Sequence, residues 1–176
     1  IANLTWGGWD RRKGRRRYRV GYFWQELGWG GRPDSDGLQG VEAYLAAGTL
    51  NIPIEVLEHT SPVIIHEMGF LPDSAGAGRF RGGCASHRLF ELEFDAVVSC
   101  LGDREKFPPW GLFGGKGSIP NRLVLNPGTS QEKEIGMYCA NVPVKAGDRM
   151  LFVAAGGGGY GDPLEREPEQ VLEDVV

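Results

Sequence analysis

One loop of the sequence places an acidic residue ahead of two arginines at a spacing that could bind an anion. In PDSAGAGRFRGG, Asp73 precedes Arg79 and Arg81, and the two arginines fall on the same side of an extended chain. Their planar guanidinium groups suit a carboxylate or a phosphate, which makes the loop a candidate substrate contact. The alternative, which we favour, is an ion pair between Asp73 and one of the arginines that fixes the loop.

A second loop, GDREKFPPWG, offers Asp103 and Arg104 for the same two roles. Its proline and glycine residues predict irregular structure, in which Trp110 and Phe113 would pin an ordered loop to the protein. No catalytic residue is assigned, because chain order and spacing do not establish the geometry of a Ser-His-Asp or Cys-His arrangement. The predicted substrate or subunit contacts are therefore Asp73, Arg79, Arg81, Asp103 and Arg104.

Four consecutive glycines in AAGGGGYGDP, residues 154–163, raise the question of a phosphate-binding loop. Such a loop needs a Lys-Ser or Lys-Thr pair after the glycines and a helix that begins there. Instead Tyr160 follows, Asp162 would repel a phosphate, and Pro163 disfavours a helical residue before it. The run therefore predicts a sharp turn built from glycine, and the chain is expected to bind no ATP by itself.

Cys84 and His87 have the short spacing of half a metal site, but His59 and His66 would have to supply the other ligands from a separate segment. Structural zinc sites need four ligands at defined spacings, so we predict no metal or other cofactor in this chain. The odd number of cysteines fits no disulfide framework and favours reduced thiols, as in a cytoplasmic protein. The three cysteines are Cys84, Cys100 and Cys139.

Basic side chains concentrate near the start of the chain, where RRKGRRRYR at residues 11–19 holds seven of the 19 lysines and arginines. The rest of the chain is therefore more acidic than the net charge of −4 indicates. We favour contact of this basic arm with an acidic partner surface, and contact with the chain's own acidic body is also open. Nucleic acid is a minor alternative because no nucleic-acid-binding fold signature follows, and a solvated arm is another.

The elements that must position these loops are mostly short strands. The strict alternation of HRLFELEFDAVVS, residues 87–99, predicts one half-buried antiparallel strand. Its predicted buried face consists of Phe90, Leu92, Phe94, Ala96 and Val98. YRVGYFWQ predicts another strand, with Tyr18, Val20, Tyr22 and Trp24 on one face. NRLVLNPG and GDRMLFVAAG predict two more.

The remaining segments complete a mainly β pattern. IPIEVLEHTSPVIIHEMGF predicts a strand before Pro62 and a second strand through Glu67, and GVEAYLAAGTLN, residues 40–51, predicts one or two helical turns. EPEQVLEDVV predicts a terminal helix that begins near Pro168 and carries an apolar stripe of Val171, Leu172 and Val175. We therefore predict a mainly β (α+β) fold, a compact domain of antiparallel strands with Gly- and Pro-rich loops and a short C-terminal helix.

Length and composition agree with a single globular domain. The chain has 176 residues, of which 28 are glycine and 11 proline, and this excess of turn formers argues against a helical bundle. No segment is apolar over the roughly 18 residues that span a membrane, and the first residues lack the pattern of a signal peptide. Without an initiator methionine, the chain is expected to begin inside a longer protein.

Several of these stretches, in the same order, resemble the C-terminal part of the hydantoinase B/5-oxoprolinase family, which includes the large subunits of ATP-dependent ketone carboxylases. The resemblance covers residues 21–176, and it rests on NIPIEVLEHTSPV, LPDSAGAGRFRGG, GDREKFPPWGLFGGKG and VKAGDRMLFVAAGGGGYGDPLEREPEQVLEDV. Ala75 stands where the family pattern has glycine, and Cys84 and Ala85 replace a pair of small apolar residues. The basic arm matches no family feature.

The basic segment and the extent of the resemblance together predict a basic N-terminal arm, residues 1–20, and a hydantoinase B-like domain, residues 21–176. The resemblance implies a B-type subunit that helps to form the cavity in which a phosphorylated lactam or hydantoin is hydrolysed. A hydantoinase A-like partner would bind ATP and Mg²⁺, and the N-terminal part of the B-type subunit would bind a divalent metal, in a hetero-oligomer. Two alternatives stay open, which are part of a ketone carboxylase of the same family and a non-catalytic scaffold subunit.

Overall fold

Two antiparallel sheets make up most of the computed structural model, which describes residues 2–14, 16–41 and 51–175. Its strands are β1 (Ala2–Asp10), β2 (Arg17–Trp24), β3 (Val63–Phe70), β4 (Ser86–Leu92), β5 (Ala96–Gly102), β6 (Arg122–Leu125), β7 (Lys133–Glu134), β8 (Tyr138–Val144) and β9 (Arg149–Val153). One sheet has the order β2-β1-β5-β8 and the other the order β3-β4-β9-β6-β7. The helices α1 (Ile54–Thr60) and α2 (Pro168–Val175) are short, which confirms the predicted mainly β class.

The buried faces of both sheets contribute to one hydrophobic core. Leu4 and Val98 come from the four-stranded sheet, Phe90 and Phe152 come from the five-stranded sheet, and all four are fully buried. Phe23 of β2 packs edge-on against Phe90 of β4, with ring centroids 4.9 Å apart. The domain is therefore a two-layer β-sandwich in which inward and outward residues alternate along each strand.

The strictly alternating segment 87–99 contributes to two strands in different sheets, so the prediction of one strand is wrong. β4 ends at Leu92, residues 93–95 cross between the sheets, and β5 begins at Ala96. The alternation continues through the crossing, because every residue of the predicted buried face is at most 8% exposed. One segment can serve both sheets because the inward faces of β4 and β5 border the same core.

β1 and β2 pair with each other as antiparallel strands, and β1 is an inner strand of its sheet. Leu4 and Trp6 of β1 are buried in the core. The prediction of a separate basic arm missed this strand, and the boundary predicted at residue 20 falls inside β2. The available signal was the period-2 spacing of Ala2, Leu4 and Trp6.

β2 confirms the strand predicted from YRVGYFWQ, but its apolar face points away from the core. Tyr18, Val20 and Tyr22 are 54%, 69% and 47% exposed, whereas Phe23 on the other face is buried. Alternation identifies the two faces of a strand without identifying which one is covered. The covered face is the one that meets the five-stranded sheet through Phe23.

Part of the basic segment binds the chain's own carboxylates. The Arg12 guanidinium donates to Asp10, with Nε 2.9 Å from Oδ1, and it also donates to Glu93. Arg19 Nε lies 3.8 Å from the Asp10 carboxylate. Arg16 lies over the Trp9 ring, 4.1 Å from its centroid. Contact of the other arginines with an acidic partner stays a prediction.

Residues 54–60 form α1, whereas the sequence predicted a strand there. The helix begins after Pro53, whose carbonyl accepts hydrogen bonds from the N–H groups of Val56 and Leu57. Leu57 packs against the core, and a short apolar run of this length fits a helix as well as a strand. β3 follows Pro62 as predicted and continues to Phe70.

In the last third of the chain, β6, β9 and α2 follow the sequence pattern, whereas β7 and β8 were not predicted. β6 and β9 confirm the strands predicted from NRLVLNPG and GDRMLFVAAG, and they pair with each other. α2 confirms the terminal helix, although the apolar stripe of Val171, Leu172 and Val175 is exposed. Most of the helical segment predicted over residues 40–51 lies outside the described residues. In the part of the chain that the structure describes, no helix has the length and apolarity to cross a membrane.

Candidate functional site

The four-glycine run lies at the centre of the region that holds the predicted site loops. Gly156–Gly159 follow β9, are buried and form no turn, so the prediction of a sharp turn is wrong. The N–H groups of Gly157 and Gly159 donate to the carbonyl groups of Gly83 and Lys116, at 2.8 and 2.9 Å. The carbonyl groups of Gly157, Gly158 and Gly159 accept hydrogen bonds from other segments. For example, the N–H of Gly31 donates to the Gly158 carbonyl at 2.8 Å. We call this run and the segments around it, residues 28–31, 76–78, 82–83 and 110–116, the glycine layer.

The layer requires glycine because its backbones approach too closely for a side chain. A Cβ atom on Gly157 would lie 1.8 Å from the carbonyl oxygen of Trp29, and one on Gly158 would lie 2.0 Å from that of Trp110. The opposing residues are equally confined, since a Cβ on Gly82 would lie 1.9 Å from the Gly157 carbonyl oxygen. Cβ atoms essentially never approach another heavy atom within 3.0 Å. The segments therefore pack backbone to backbone as one rigid unit.

The layer brings together the two loops that carry the predicted site residues. Phe80 and Leu112 each form a backbone bridge with Tyr160, which directly follows the glycine run. The N–H of Lys116 donates to the Ala77 carbonyl at 2.7 Å, which joins the loops to each other. Tertiary structure thus places the loop of residues 71–83 beside the loop of residues 103–119.

Unusual backbone conformations concentrate in the same two loops. Asp73, Arg104 and Phe113 have φ angles of +54°, +61° and +52°, a region that residues with side chains seldom adopt. Elsewhere in the described residues, only Asn126 and Asn141 share this property, and asparagine tolerates it better than most residues. Strain of this kind costs of order 1–3 kcal/mol and clusters at functional sites. The three conformations therefore support a functional role for the two loops.

The second loop exposes large apolar side chains, so Trp110 and Phe113 do not pin it to the protein as predicted. They are 63% and 77% exposed, although the Phe113 ring contacts the Tyr160 ring with centroids 5.1 Å apart. Phe107 and Leu112 of the same loop are also exposed. Because the glycine layer holds the backbone, the loop stays ordered without burying these side chains. A rigid loop with four exposed apolar side chains is typical of an interaction surface.

The predicted residues Asp103 and Arg104 lie at the base of this loop. Asn121 is buried, and its backbone N–H donates to the Arg104 carbonyl at 3.1 Å while its side-chain amide donates to the Asp103 carbonyl. Both predicted side chains are exposed, and the Arg104 guanidinium lies 4.8 Å from the centroid of the Trp110 ring. The backbone of the pair is therefore held in place while the side chains stay at the surface.

The predicted residues Asp73 and Arg79 are both exposed, and neither forms an ion pair with the residues that the structure describes. The ion pair of Asp73 with an arginine that we favoured is therefore wrong for the described part of the chain. The Arg79 guanidinium lies 5.5 Å from the centroid of the Phe80 ring, and the Arg79 carbonyl accepts a hydrogen bond from Arg166. Arg79, like Arg104, therefore has a charge that is available to an anion in the described part of the chain.

Arg81 belongs to a cluster of two arginines and two aspartates that holds α2 against the domain. Its Nε donates to Asp174 at 2.6 Å, and its backbone N–H donates to Asp36 at 2.9 Å. The nearly buried Arg166 donates to both carboxylate oxygens of Asp36 at 2.8 Å, and to Asp174 at 3.0 Å. Since two carboxylates already neutralise the two guanidinium groups, Arg81 has a structural role.

Acidification is expected to weaken this cluster. Partial burial opposes ionisation of Asp36, but the hydrogen bond and charge of Arg166 outweigh it, so the pKa of Asp36 lies below its usual value. The stabilisation is therefore present above the unfolded-state pKa of about 3.9 and is lost as the pH falls through the folded-state pKa. The urea concentration at the midpoint of unfolding should therefore fall less between about pH 4 and pH 2 in Asp36→Asn than in the wild type.

The matched control for this measurement is Asp34→Asn, two residues away. The Asp34 carboxylate accepts a hydrogen bond from Ser35 and forms no ion pair with the described residues. Its removal should leave the pH dependence of the urea midpoint unchanged. If Asp36→Asn and the wild type lose stability in parallel on acidification, the cluster is not the acid-sensitive contact.

Two of the three histidines lie beside separate carboxylates. His66 Nε2 lies 3.0 Å from the Glu91 carboxylate, and His87 Nε2 lies 3.6 Å from that of Glu67. Across residues 2–14, 16–41 and 51–175, no three His, Cys, Asp or Glu side chains gather as a metal site would require. Burial raises the pKa of the Cys100 thiol to about 12, so it is protonated at neutral pH and unsuited to be a nucleophile.

A buried polar cluster at the start of β4 was not predicted from the sequence. Glu26 and Arg88 are only 6% and 5% exposed, with Oε1 3.7 Å from Nη2. Ser86 accepts a hydrogen bond from Gln25 at 2.9 Å and donates to the Glu26 carbonyl. One signal was available, because Ser86 and Arg88 share the register of the buried apolar residues of β4. A polar residue on an inward face implies a buried partner.

The surface formed by the two loops suits binding more than bond making. Arg79 and Arg104 supply charge, the exposed apolar side chains supply contact area, and the glycine layer supplies rigidity. Interfaces combine these properties, since aromatic residues and arginine are enriched in them. The arrangement can therefore hold an anionic ligand or a partner protein.

Known proteins match nearly the whole chain in sequence and in fold. The sequence model of the Hydantoinase B/oxoprolinase family matches residues 1–163, which include the basic segment. The chain is 33% identical over 152 residues to the B-type subunit of a putative D-/L-hydantoinase from Pseudomonas sp. (strain NS671), which covers 86% of this chain and 26% of that protein.

Two solved structures are similar in fold. The crystal structure of ATP-dependent caprolactamase from Pseudomonas jessenii matches with a TM-score of 0.75 and 26% identity, over 98% of this chain and 31% of that one. The nucleotide-free structure of acetone carboxylase matches with a TM-score of 0.76 over 99% of this chain and 27% of that one, and its 21% identity shows the fold alone. The chain spans between 8% and 26% of the length of the curated relatives it matches.

Proposed function

The chain belongs to the hydantoinase B/oxoprolinase family, and on that premise we propose that it is part of the B-type subunit of an ATP-dependent complex that opens a lactam or hydantoin ring. The observation that carries the proposal is the family match over residues 1–163. The substrate class follows the names of two relatives, a D-/L-hydantoinase and an ATP-dependent caprolactamase. A cytoplasmic location, expected from the unpaired cysteines, belongs to the same proposal.

In this proposal the chain supplies cavity walls and subunit contacts. A hydantoinase A-like partner binds ATP and Mg²⁺ and transfers a phosphoryl group to the ring carbonyl oxygen. Of the predicted contacts, Arg79 and Arg104 are the candidates for binding the phosphoryl group of the ring, because a guanidinium group can donate two parallel hydrogen bonds to a phosphate. Asp73 and Asp103 lie on the same two loops. The exposed apolar side chains beside them contact the partner.

The divalent metal of the complex belongs, in this proposal, to the N-terminal part of the B-type subunit. The residues described here do not fit that role, because they include no cluster of three metal-ligating side chains. We therefore assign no step to a metal in this chain. Its part in the reaction is to orient the substrate and to exclude water from all but the attacking position.

Two alternatives make different predictions for the same assembled complex. A ketone carboxylase would consume ATP with a ketone and bicarbonate, and the fold shared with acetone carboxylase is compatible with it. A non-catalytic scaffold would hold subunits together without facing the substrate. The test is to assemble the B-type subunit with its A-like partner and to measure ATP hydrolysis with a lactam, a hydantoin or a ketone plus bicarbonate. If ATP is hydrolysed only with the ketone, and not with the lactam or the hydantoin, the complex is a carboxylase and the proposal of ring opening is wrong.

In the same assay, Arg79→Ala and Arg81→Ala are expected to differ. Arg79 has no ion pair to lose among the described residues, so its removal should leave the unfolding midpoint unchanged. Arg81 loses its contacts with Asp174 and Asp36, and at these partly exposed positions the loss should cost about 1 kcal/mol of stability. Turnover per intact complex should stay within about tenfold of the wild type for both variants, because in this proposal the chain supplies walls of the cavity and contacts between subunits.

The outcome that contradicts this role is a large loss of rate without a loss of assembly. Removing one hydrogen bond made only in the transition state lowers the rate by roughly 100- to 1,000-fold. Such a loss for Arg79→Ala, measured per complex isolated by size exclusion, would make Arg79 a catalytic residue. The same loss for Arg81→Ala would mean that its ion pairs with α2 do not persist in the complex.

A further inference from the structure

Two of the three cysteines, all of which lie in the described residues, are opposite each other in the four-stranded sheet. Cys100 of β5 and Cys139 of β8 pair directly in the antiparallel register, and both are free thiols. The Cα atoms of opposite residues in such strands are about 4.5 or 5.5 Å apart, depending on the hydrogen-bond pattern. A disulfide joins residues whose Cα atoms are about 4.4–6.8 Å apart, so the backbone distance suits one.

The two side chains also lie on the same side of the sheet. Cys100 belongs to the hydrophobic core, and Cys139 is partly buried and packs against that core. The Cys139 thiol accepts a hydrogen bond from the backbone of Cys100, which brings its sulfur next to that residue. The register, the shared face and this contact therefore place the two thiols together.

A groove gives small molecules access to one of the two thiols. Cys139 is half-buried, whereas Cys100 is only 4% exposed. The groove has a volume of about 450 Å³, and its lining includes Tyr22, Leu101 and Tyr138 beside the cysteine pair. A reagent that enters the groove reaches Cys139 first. Cys100 needs no exposure to react with a group that is already attached to Cys139.

We propose that Cys100 and Cys139 are a thiol–disulfide site, which a small disulfide such as oxidised glutathione converts to a bridge between β5 and β8. The Cys139 thiolate attacks one sulfur of the reagent, and one molecule of reduced glutathione leaves. Cys100 then attacks the Cys139 sulfur in the mixed disulfide, and the second molecule of reduced glutathione leaves. The two thiol hydrogens of the protein end on the two glutathione molecules, so one disulfide is reduced while the other forms.

Both steps are expected to be slow at neutral pH, because the nucleophile is the thiolate. Burial raises the pKa of both thiols, that of Cys100 to about 12, and the carboxylate of Glu105 raises each pKa further. The rate should therefore rise about tenfold from pH 7 to pH 8, since the thiolate fraction rises by that factor below the pKa. Attachment of the reagent to Cys139 offsets the small thiolate fraction of Cys100, because an intramolecular reaction has a high effective concentration.

The bridge acts next to the candidate site because of its position in the chain. β5 ends at Gly102, and the loop of residues 103–119 follows directly. The N–H of Gly102 donates to the Met137 carbonyl at 2.8 Å, which joins the base of this loop to the start of β8. A bond between Cys100 and Cys139 fixes β5 to β8 beside this contact. The redox state of the pair is thereby linked to the loop that carries the exposed apolar side chains.

The test is to incubate the purified chain with oxidised glutathione, to block the remaining thiols with N-ethylmaleimide and to measure the intact mass. It is made in Cys84→Ala, because Cys84 belongs to neither strand and would react independently. After oxidation we expect no maleimide group and no bound glutathione on this variant, and dithiothreitol should restore two reactive thiols. The oxidised form should also unfold at a higher urea concentration than the reduced form, because the bridge closes a long loop.

Cys100→Ser in the same background separates the two steps. Without the second thiol the reaction should stop at Cys139, which then keeps one glutathione. If this variant does not fold, a protease digest of oxidised Cys84→Ala decides, because Cys100 and Cys139 should appear in one disulfide-linked pair of peptides. The inference is overturned if oxidised Cys84→Ala still takes up two maleimide groups, if it keeps bound glutathione, or if the rate is the same at pH 7 and pH 8.

Discussion

Alanine in place of Gly157 is expected to prevent stable folding, because the added methyl group has no space. Its Cβ would lie 1.8 Å from the Trp29 carbonyl oxygen and 2.2 Å from the carbonyl carbon of the same residue. Both contacts are with backbone in a hydrogen-bonded layer, so no side-chain rotation relieves them. Overpacking usually costs 1–3 kcal/mol where a core can adjust, and here we expect a loss of more than about 3 kcal/mol. Urea unfolding followed by circular dichroism measures it.

Gly30→Ala is the matched control within the same glycine layer. Gly30 is exposed, and a Cβ atom there would meet the Gly158 carbonyl oxygen at 3.5 Å, which is ordinary contact. Its stability should stay within about 0.5 kcal/mol of the wild type. Equal urea midpoints for Gly157→Ala and Gly30→Ala would show that close backbone packing does not explain the glycine run.

Arg88→Met is expected to destabilise the domain by about 3–5 kcal/mol, because it leaves Glu26 buried with no opposite charge. Both side chains are at most 7% exposed, and the Arg88 guanidinium lies 4.8 Å from the centroid of the Phe23 ring. Burial lowers the pKa of Arg88, and the charge of Glu26 partly offsets this. Burial removes water from both charges, which costs free energy. The attraction between Arg88 and Glu26 offsets part of that cost.

A double variant separates loss of the ion pair from loss of packing. Glu26→Gln in the Arg88→Met background removes the unpaired charge, so the double variant should be more stable than Arg88→Met alone. Arg149→Met on the neighbouring β9 is the control, because Arg149 is exposed and 3.5 Å from Glu91, and its loss should cost less than about 1 kcal/mol. Similar urea midpoints for Arg88→Met and Arg149→Met would contradict the prediction.

The amino-acid pattern alone determined where most strands run and which residues share a face. The period-2 alternation of residues 87–99 identified five buried residues correctly, even though the segment contributes to two strands. The patterns of the segments that form β2, β6, β9 and α2 also predicted these elements correctly. The motifs around Asp73, Arg104 and the glycine run indicated the family. These are local signals, because alternation, turn chemistry and motif order can be read within one stretch of chain.

Only the tertiary structure decided what each of those residues meets. It buried β1, turned the apolar face of β2 outward, and gave Arg81 its partners in Asp36 and Asp174 while leaving Arg79 without one among the described residues. It also set the glycine run among backbones that are remote in sequence and paired Glu26 with Arg88. The physical reason is that burial, ion pairing and close backbone approach are relations between distant segments. A strand's own pattern distinguishes its two faces, and only the element packed against it determines which face is buried.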